Sequence, residues 1–158
     1  MLLSATGDKL STRDRAVLIK LCNDRLAEAV DLQLQCKHAY WNTRDPNLIS
    51  LRNLFDQVNE AIEDYIDRIA ERSVEIGGIA NSTEYAVATW SNLLCDPDAI
   101  RCNHAETIVT SLAVFGDRMR QAVEISNQFS DLVSANIFTE ISKGVEGWRG
   151  KLAAQGTG

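Results

Sequence analysis

The sequence predicts an all-α fold, a bundle of four long helices with a short connector helix between the second and the third. Three observations carry that expectation. Apolar residues recur at helical spacing through four long stretches, capping and stop signals separate those stretches, and Gly and Pro are sparse within them. The connection between the second and third stretches is long enough to cross the bundle, where a simple hairpin would need only a few residues.

The first helix starts at Ser11-Thr12-Arg13-Asp14, where the Ser11 hydroxyl can cap the first turn. Val17, Leu18, Leu21, Leu26, Val30, Leu34 and Ala39 keep its rhythm to about Asn42. Arg44-Asp45-Pro46-Asn47 breaks the pattern, and Pro46 is placed to start the second helix, which runs to about Ile76 and stops at Gly77-Gly78. Asn81-Ser82-Thr83-Glu84 caps a short element from Tyr85 to about Leu93, followed by a loop through Asp96-Pro97-Asp98. A long helix is expected from about Asn103 to Gln128, with Ile108, Leu112, Phe115, Met119, Val123 and Ile125 on its core side. The last runs from about Asp131 through Trp148 to Ala153.

At 158 residues with 45% hydrophobic content, the chain fits one domain over 1–158, with short tails at 1–10 and 153–158. The net charge of −6 disfavours unaided nucleic-acid binding and leans toward cations as partners. No apolar run approaches the roughly 20 residues that span a bilayer. The opening Met1 to Lys9 lacks the features of a signal peptide, so a cytoplasmic protein is expected. Cys22, Cys36, Cys95 and Cys102 read as reduced thiols, because Cys95, Cys102 and His104 match no standard zinc spacing.

The second helix carries the most informative pattern. Asp56, Glu60, Glu63, Asp67 and Glu71 are spaced four, three, four and four apart. At roughly 100° per residue they fall within about a quarter of the helix circumference. Leu51, Leu54, Val58, Ile62, Tyr65, Ile69 and Ile76 occupy the opposite face. Such a file of carboxylates is either a solvated surface or a holder of hard cations.

Lys37-His38-Ala39-Tyr40-Trp41-Asn42-Thr43-Arg44-Asp45-Pro46-Asn47-Leu48, then Leu54-Phe55-Asp56, then Asp67-Arg68-Ile69-Ala70-Glu71-Arg72 with Gly77-Gly78, resembles the Dps family of miniature ferritins. Ser134-Ala135-Asn136-Ile137-Phe138-Thr139-Glu140-Ile141-Ser142, followed by Trp148, looks like that family's last helix, and the element near Tyr85 like its connector. The likeness runs from about Leu10 to Leu152. It implies a ferritin-like bundle assembled as a homo-dodecamer of two-fold dimers around a store of ferric mineral. Iron(II) would be oxidised between two-fold-related subunits by hydrogen peroxide or oxygen, which protects DNA from hydroxyl radicals.

The resemblance assigns Asp56, Asp67 and Glu71 as metal ligands and places Trp41 beside the site. Two further positions, where the family has histidines, are here Tyr40 and Arg52. A phenolate oxygen can still bind ferric iron. Guanidinium has no lone pair to offer, and Arg52, one turn before Asp56, is expected to pair with that carboxylate. His38 lies about 200° around the helix from Tyr40 and is expected to point away, while Cys36 is a poor match for hard ligands. Asp56 and Asp67 are eleven residues apart, or about 16 Å along one helix, so a single site using both needs a partner helix.

Glu60, Glu63 and Asp64 are expected as cavity-facing acids where mineral nucleates. Asp131 and Glu140 are expected to line a three-fold pore for cations, weakened where Asn136 replaces an aspartate. The tails offer Asp8 against a single Lys9 at one end and no charged side chain in the last seven residues at the other. Direct DNA binding is therefore not expected. Three readings follow: an iron-oxidising shell with an altered site, a non-catalytic storage or co-assembly shell, and a DNA-coating protein.

Overall fold

The computed structural model describes residues 10–83, 87–88 and 103–156. The expected connector helix and loop, with Cys95 and Cys102, lie outside the described residues, except that Val87 and Ala88 are helical. Four long helices make up the remainder: α1 (Thr12–Asn42), α2 (Ile49–Glu75), α3 (His104–Gln128) and α4 (Leu132–Gly156), with a 3-10 turn at Pro46–Leu48. No strand occurs among the described residues. The fold is the expected all-α four-helix bundle.

Side chains set the helix ends as the sequence suggests. Ser11 Oγ accepts from the Asp14 amide at 3.0 Å, and Asn103 Oδ1 accepts from the Glu106 amide at 3.0 Å. Asp45 Oδ1 accepts from the Asn47 amide at 2.9 Å, leaving Pro46 at the first position of the turn. At the end of α2, Gly77 takes φ +94° and the Gly78 amide donates back to Ser73 O at 2.8 Å. That is the six-to-one bond of a glycine-terminated helix. A Cβ at Gly78 would stand 2.5 Å from Ile19 Cγ2, so α1 packs against this corner only because it is bare.

Cross-helix contacts give the topology. Gln35 accepts from Ser111 Oγ at 2.6 Å, and Arg25 Nη1 donates to Arg118 O at 3.4 Å, so α1 and α3 run antiparallel. Arg72 bonds Ser134 while Arg68 pairs with Glu140, so α2 and α4 run antiparallel too. With α1–α2 and α3–α4 each packed as neighbours, the order is up, down, down, up. The α2-to-α3 connection therefore has to travel the length of the bundle. The core between the helices is apolar, built on Leu18, Leu26, Leu32, Phe55, Ile62, Ile69, Phe115, Phe138 and Ile141.

Two sets of charged groups are buried in this core, one hydrogen-bonded throughout its contacts and one held by ion pairing alone. Arg72, 2% exposed, bonds Ser134 Oγ at 2.9 Å and Asp131 Oδ1 at 2.8 Å, and reaches Glu75 at 3.0 Å. Asp131 also accepts from the Ser134 amide at 3.1 Å, and so caps α4. Glu28 is fully buried, with Arg25 Nε at 2.6 Å and Arg118 Nε at 3.5 Å. Burial pushes its carboxyl up to about 7, against the opposing pull of both arginines.

Candidate functional site

The corner where α1 turns into α2 brings Tyr40 and Arg52 together. Tyr40 sits in the last turn of α1 and Arg52 in the first turn of α2, and the short turn through Pro46 folds one over the other. The Arg52 guanidinium carbon stands 4.0 Å from the centre of the Tyr40 ring. The expected ion pair with Asp56 is not formed: among the described residues, the Arg52 interaction is this cation–π contact. The i to i+4 spacing permits either arrangement, and the ring arriving from α1 settles it.

Beside the pair lies an open hollow of about 450 Å³ lined by Thr43, Arg44, Asp45, Pro46, Ile49 and Arg52. Trp41, Leu48 and Ile49 are exposed around it, Trp41 at 56% and Ile49 at 61%. Asp56 is half-buried one turn further along α2.

The acid stripe of α2 is real and faces outward. Glu60, Glu63, Asp64, Asp67 and Glu71 are exposed, whereas Leu54, Val58, Ile62, Tyr65 and Ile69 are buried on the opposite side. One chain does not gather these acids into a cage: among the described residues no group of three or more His, Cys, Asp or Glu side chains converges on a point. Asp56 lies at the Tyr40–Arg52 end, and Asp67 with Glu71 lies about 16 Å or more down the same helix.

Two of the acids expected at a pore are placed differently from one another. Glu140 is exposed and paired with Arg68 across α2 and α4. Asp131 is 6% exposed, caps α4 and pairs with Arg72. Its position just before a helix was the readable signal for a cap. Asn136 is exposed.

The histidines also find their places. His38 is half-buried and its ring stands 5.8 Å, centre to centre, from that of His104, the first residue of α3. Partial burial and the neighbouring His38 hold the His104 pKa below its ordinary value. Sequence spacing could not pair them, because the contact depends on α3 running antiparallel to α1. Cys22 and Cys36 are buried free thiols, pushed up to about 12 by burial and so inert as thiolates.

The chain matches the family model of the ferritin-like domain over residues 19–147. A DNA protection during starvation protein of Agrobacterium fabrum is 29% identical over 143 residues, covering 89% of this chain and 88% of the relative. Among solved structures, a DPS protein of Vibrio cholerae O1 superposes with a TM-score of 0.85 at 17% identity, covering 98% of this chain and 96% of that one. Dps from Thermosynechococcus elongatus superposes with a TM-score of 0.83 at 21% identity, covering 96% and 94%. No helix among the described residues is long and apolar enough to cross a membrane.

Proposed function

The chain belongs to the ferritin-like family as a member of its Dps branch, and from that premise we propose that it is an iron-handling shell that takes up and oxidises iron(II) at sites shared between two copies of itself. One observation carries the reading: the carboxylates Asp56, Asp67 and Glu71 stand on the open face of α2, split between its two ends. A two-fold dimer sets Asp67 and Glu71 of one copy against Asp56 of the other, and its symmetry makes the site twice. The exposed Trp41, Leu48 and Ile49 beside Asp56 are the apolar surface such a partner would cover.

Iron(II) is the substrate here. Hard carboxylate oxygens suit it, and they stabilise iron(III) still more because the added charge is met by fixed anions. Two iron(II) ions each give one electron to one hydrogen peroxide; with two protons the O–O bond breaks to give two waters, and no hydroxyl radical is released. Oxygen can serve in place of peroxide. Glu60, Glu63 and Asp64 then offer an acidic surface for ferric mineral, and Glu140 an acid near the cation path. Protection of DNA follows chemically, and a net charge of −6 gives the chain no electrostatic hold on DNA itself. The setting is the cytoplasm and the assembly a dodecamer, near ~210 kDa for twelve compact chains.

Tyr40 and Arg52 make the site atypical. Arg52 brings a permanent charge without a lone pair, and its stacking on Tyr40 keeps that charge at the corner. It takes the place of one cation and lowers the attraction for iron. Titrating the assembled protein anaerobically with iron(II), then adding peroxide, tests the proposal. Oxidation in a fixed ratio to protein, faster than a protein-free control, is expected, and no excess over that control contradicts it.

The same contact favours a second reading, a shell that stores or co-assembles without oxidising iron. In that case changing Tyr40→His together with Arg52→His creates oxidation that the parent lacks. Unchanged kinetics in the double variant would remove Arg52 as the cause.

A further inference from the structure

We propose that His38 and His104 form a second metal site, a two-imidazole clip between the end of α1 and the start of α3 that takes a late first-row divalent cation, zinc in particular. The site is separate from the acid stripe and does not depend on iron oxidation. It uses the only two histidines of the chain, which lie far apart in sequence and are brought together by the antiparallel packing of α1 and α3.

The spacing fits a shared ion. A metal about 2.0–2.1 Å from a ring nitrogen stands roughly 3.2 Å from that ring's centre. Two imidazoles on one tetrahedral metal then have centres about 5.2 Å apart, and on a linear one about 6.4 Å. The observed 5.8 Å lies between these limits. The ring planes are inclined at 66°, and binding asks each ring to turn about its own side-chain bonds until one nitrogen faces the ion.

The rings are also available. Both residues are half-buried, held by their helices yet open to water on one side. His38 Nδ1 meets the Asn42 side-chain amide nitrogen at 3.5 Å, the outer limit of a hydrogen bond. The stronger bond of that NH2 group is the one it donates to His38 O at 2.8 Å. Binding therefore displaces no strong bond.

Donor chemistry separates the two sites. Imidazole nitrogen prefers zinc, copper and nickel over iron(II) and magnesium, whereas the carboxylates of α2 prefer hard ions. Two protein donors leave the remaining positions to water, so the clip is an exchangeable site, open in the manner of catalytic rather than structural zinc.

Isothermal titration of the assembled protein with zinc chloride at neutral pH tests this in four forms: wild type, His38→Gln, His104→Gln, and the double variant Asp56→Asn with Glu71→Gln. Expected is a class of zinc sites that weakens at least about tenfold in each histidine variant and is unchanged in the acid variant. Cobalt(II) absorption of the wild type supplies a readout that needs no variant, and nitrogen and oxygen ligation without a thiolate charge-transfer band is expected. Zinc affinity unchanged in both histidine variants overturns the proposal. So does loss confined to the acid variant, or a cobalt spectrum dominated by thiolate.

Discussion

Arg52 lies over the Tyr40 ring, and that contact sets the charge of the corner where α1 meets α2. Local spacing pointed to Asp56 as its partner, because i to i+4 neighbours on a helix meet. The ring that competes for the guanidinium comes from another helix, and no local pattern reveals it. Glu28 was equally hidden: it sits in the middle of α1 with nothing in the sequence to mark it, yet it is fully buried against Arg25 and Arg118. Neither of its oxygens meets hydrogen-bond geometry, which is why burial outweighs the two arginines. The carboxyl titrates at 4.5 when unfolded and at about 7 when folded. Between those values the folded chain holds the extra proton, so stability falls as pH rises through the window, by up to roughly 3 kcal/mol. Glu28→Gln cannot titrate. Thermal unfolding followed from pH 4.5 to 7 should give a flatter profile for the variant, whatever constant offset the unpaired arginines add. Parallel profiles would mean that the Arg25 pair, not burial, governs this carboxyl.

At the scale of elements, the helices and their ends were largely legible. Ser11, Asn103 and the Gly77–Gly78 stop act where their chemistry says they should, because caps depend on neighbours within a turn. The two faces of α2 were legible for the same reason. Contacts between α2 and α4 were not. Gly144 illustrates this: a Cβ there would stand 2.1 Å from Tyr65 Oη and 3.1 Å from its Cζ. Tyr65 is 8% exposed, so burial restricts how far its ring can swing aside. Gly144→Ala should gain about 1 kcal/mol of helix propensity. The overpacking it forces costs about 1–3 kcal/mol, and the packing loss should win. Made on a Tyr65→Phe background the same change should cost less, since the closest atom is gone. Equal losses of melting temperature on both backgrounds would show that the hydroxyl is not what the glycine accommodates.

For the whole molecule, α1 and α4 pack on the apolar side of α2 and leave its acid face uncovered. The four-helix architecture could be read from periodicity and loop length. The division of the candidate site could be read only in part: the 16 Å argument separates Asp56 from Asp67 on any straight helix, but nothing local says which surface meets which. In the proposed function, two copies of the chain complete one iron site. Anaerobic iron(II) binding to co-assembled variants tests it most directly. Asp56→Asn chains, and chains carrying Asp67→Asn with Glu71→Gln, should each bind iron(II) poorly when assembled alone. Assembled together, every mixed dimer has one site with all three acids, so binding should rise above both parents. Mixed shells that bind no better than either parent would contradict a site shared between subunits.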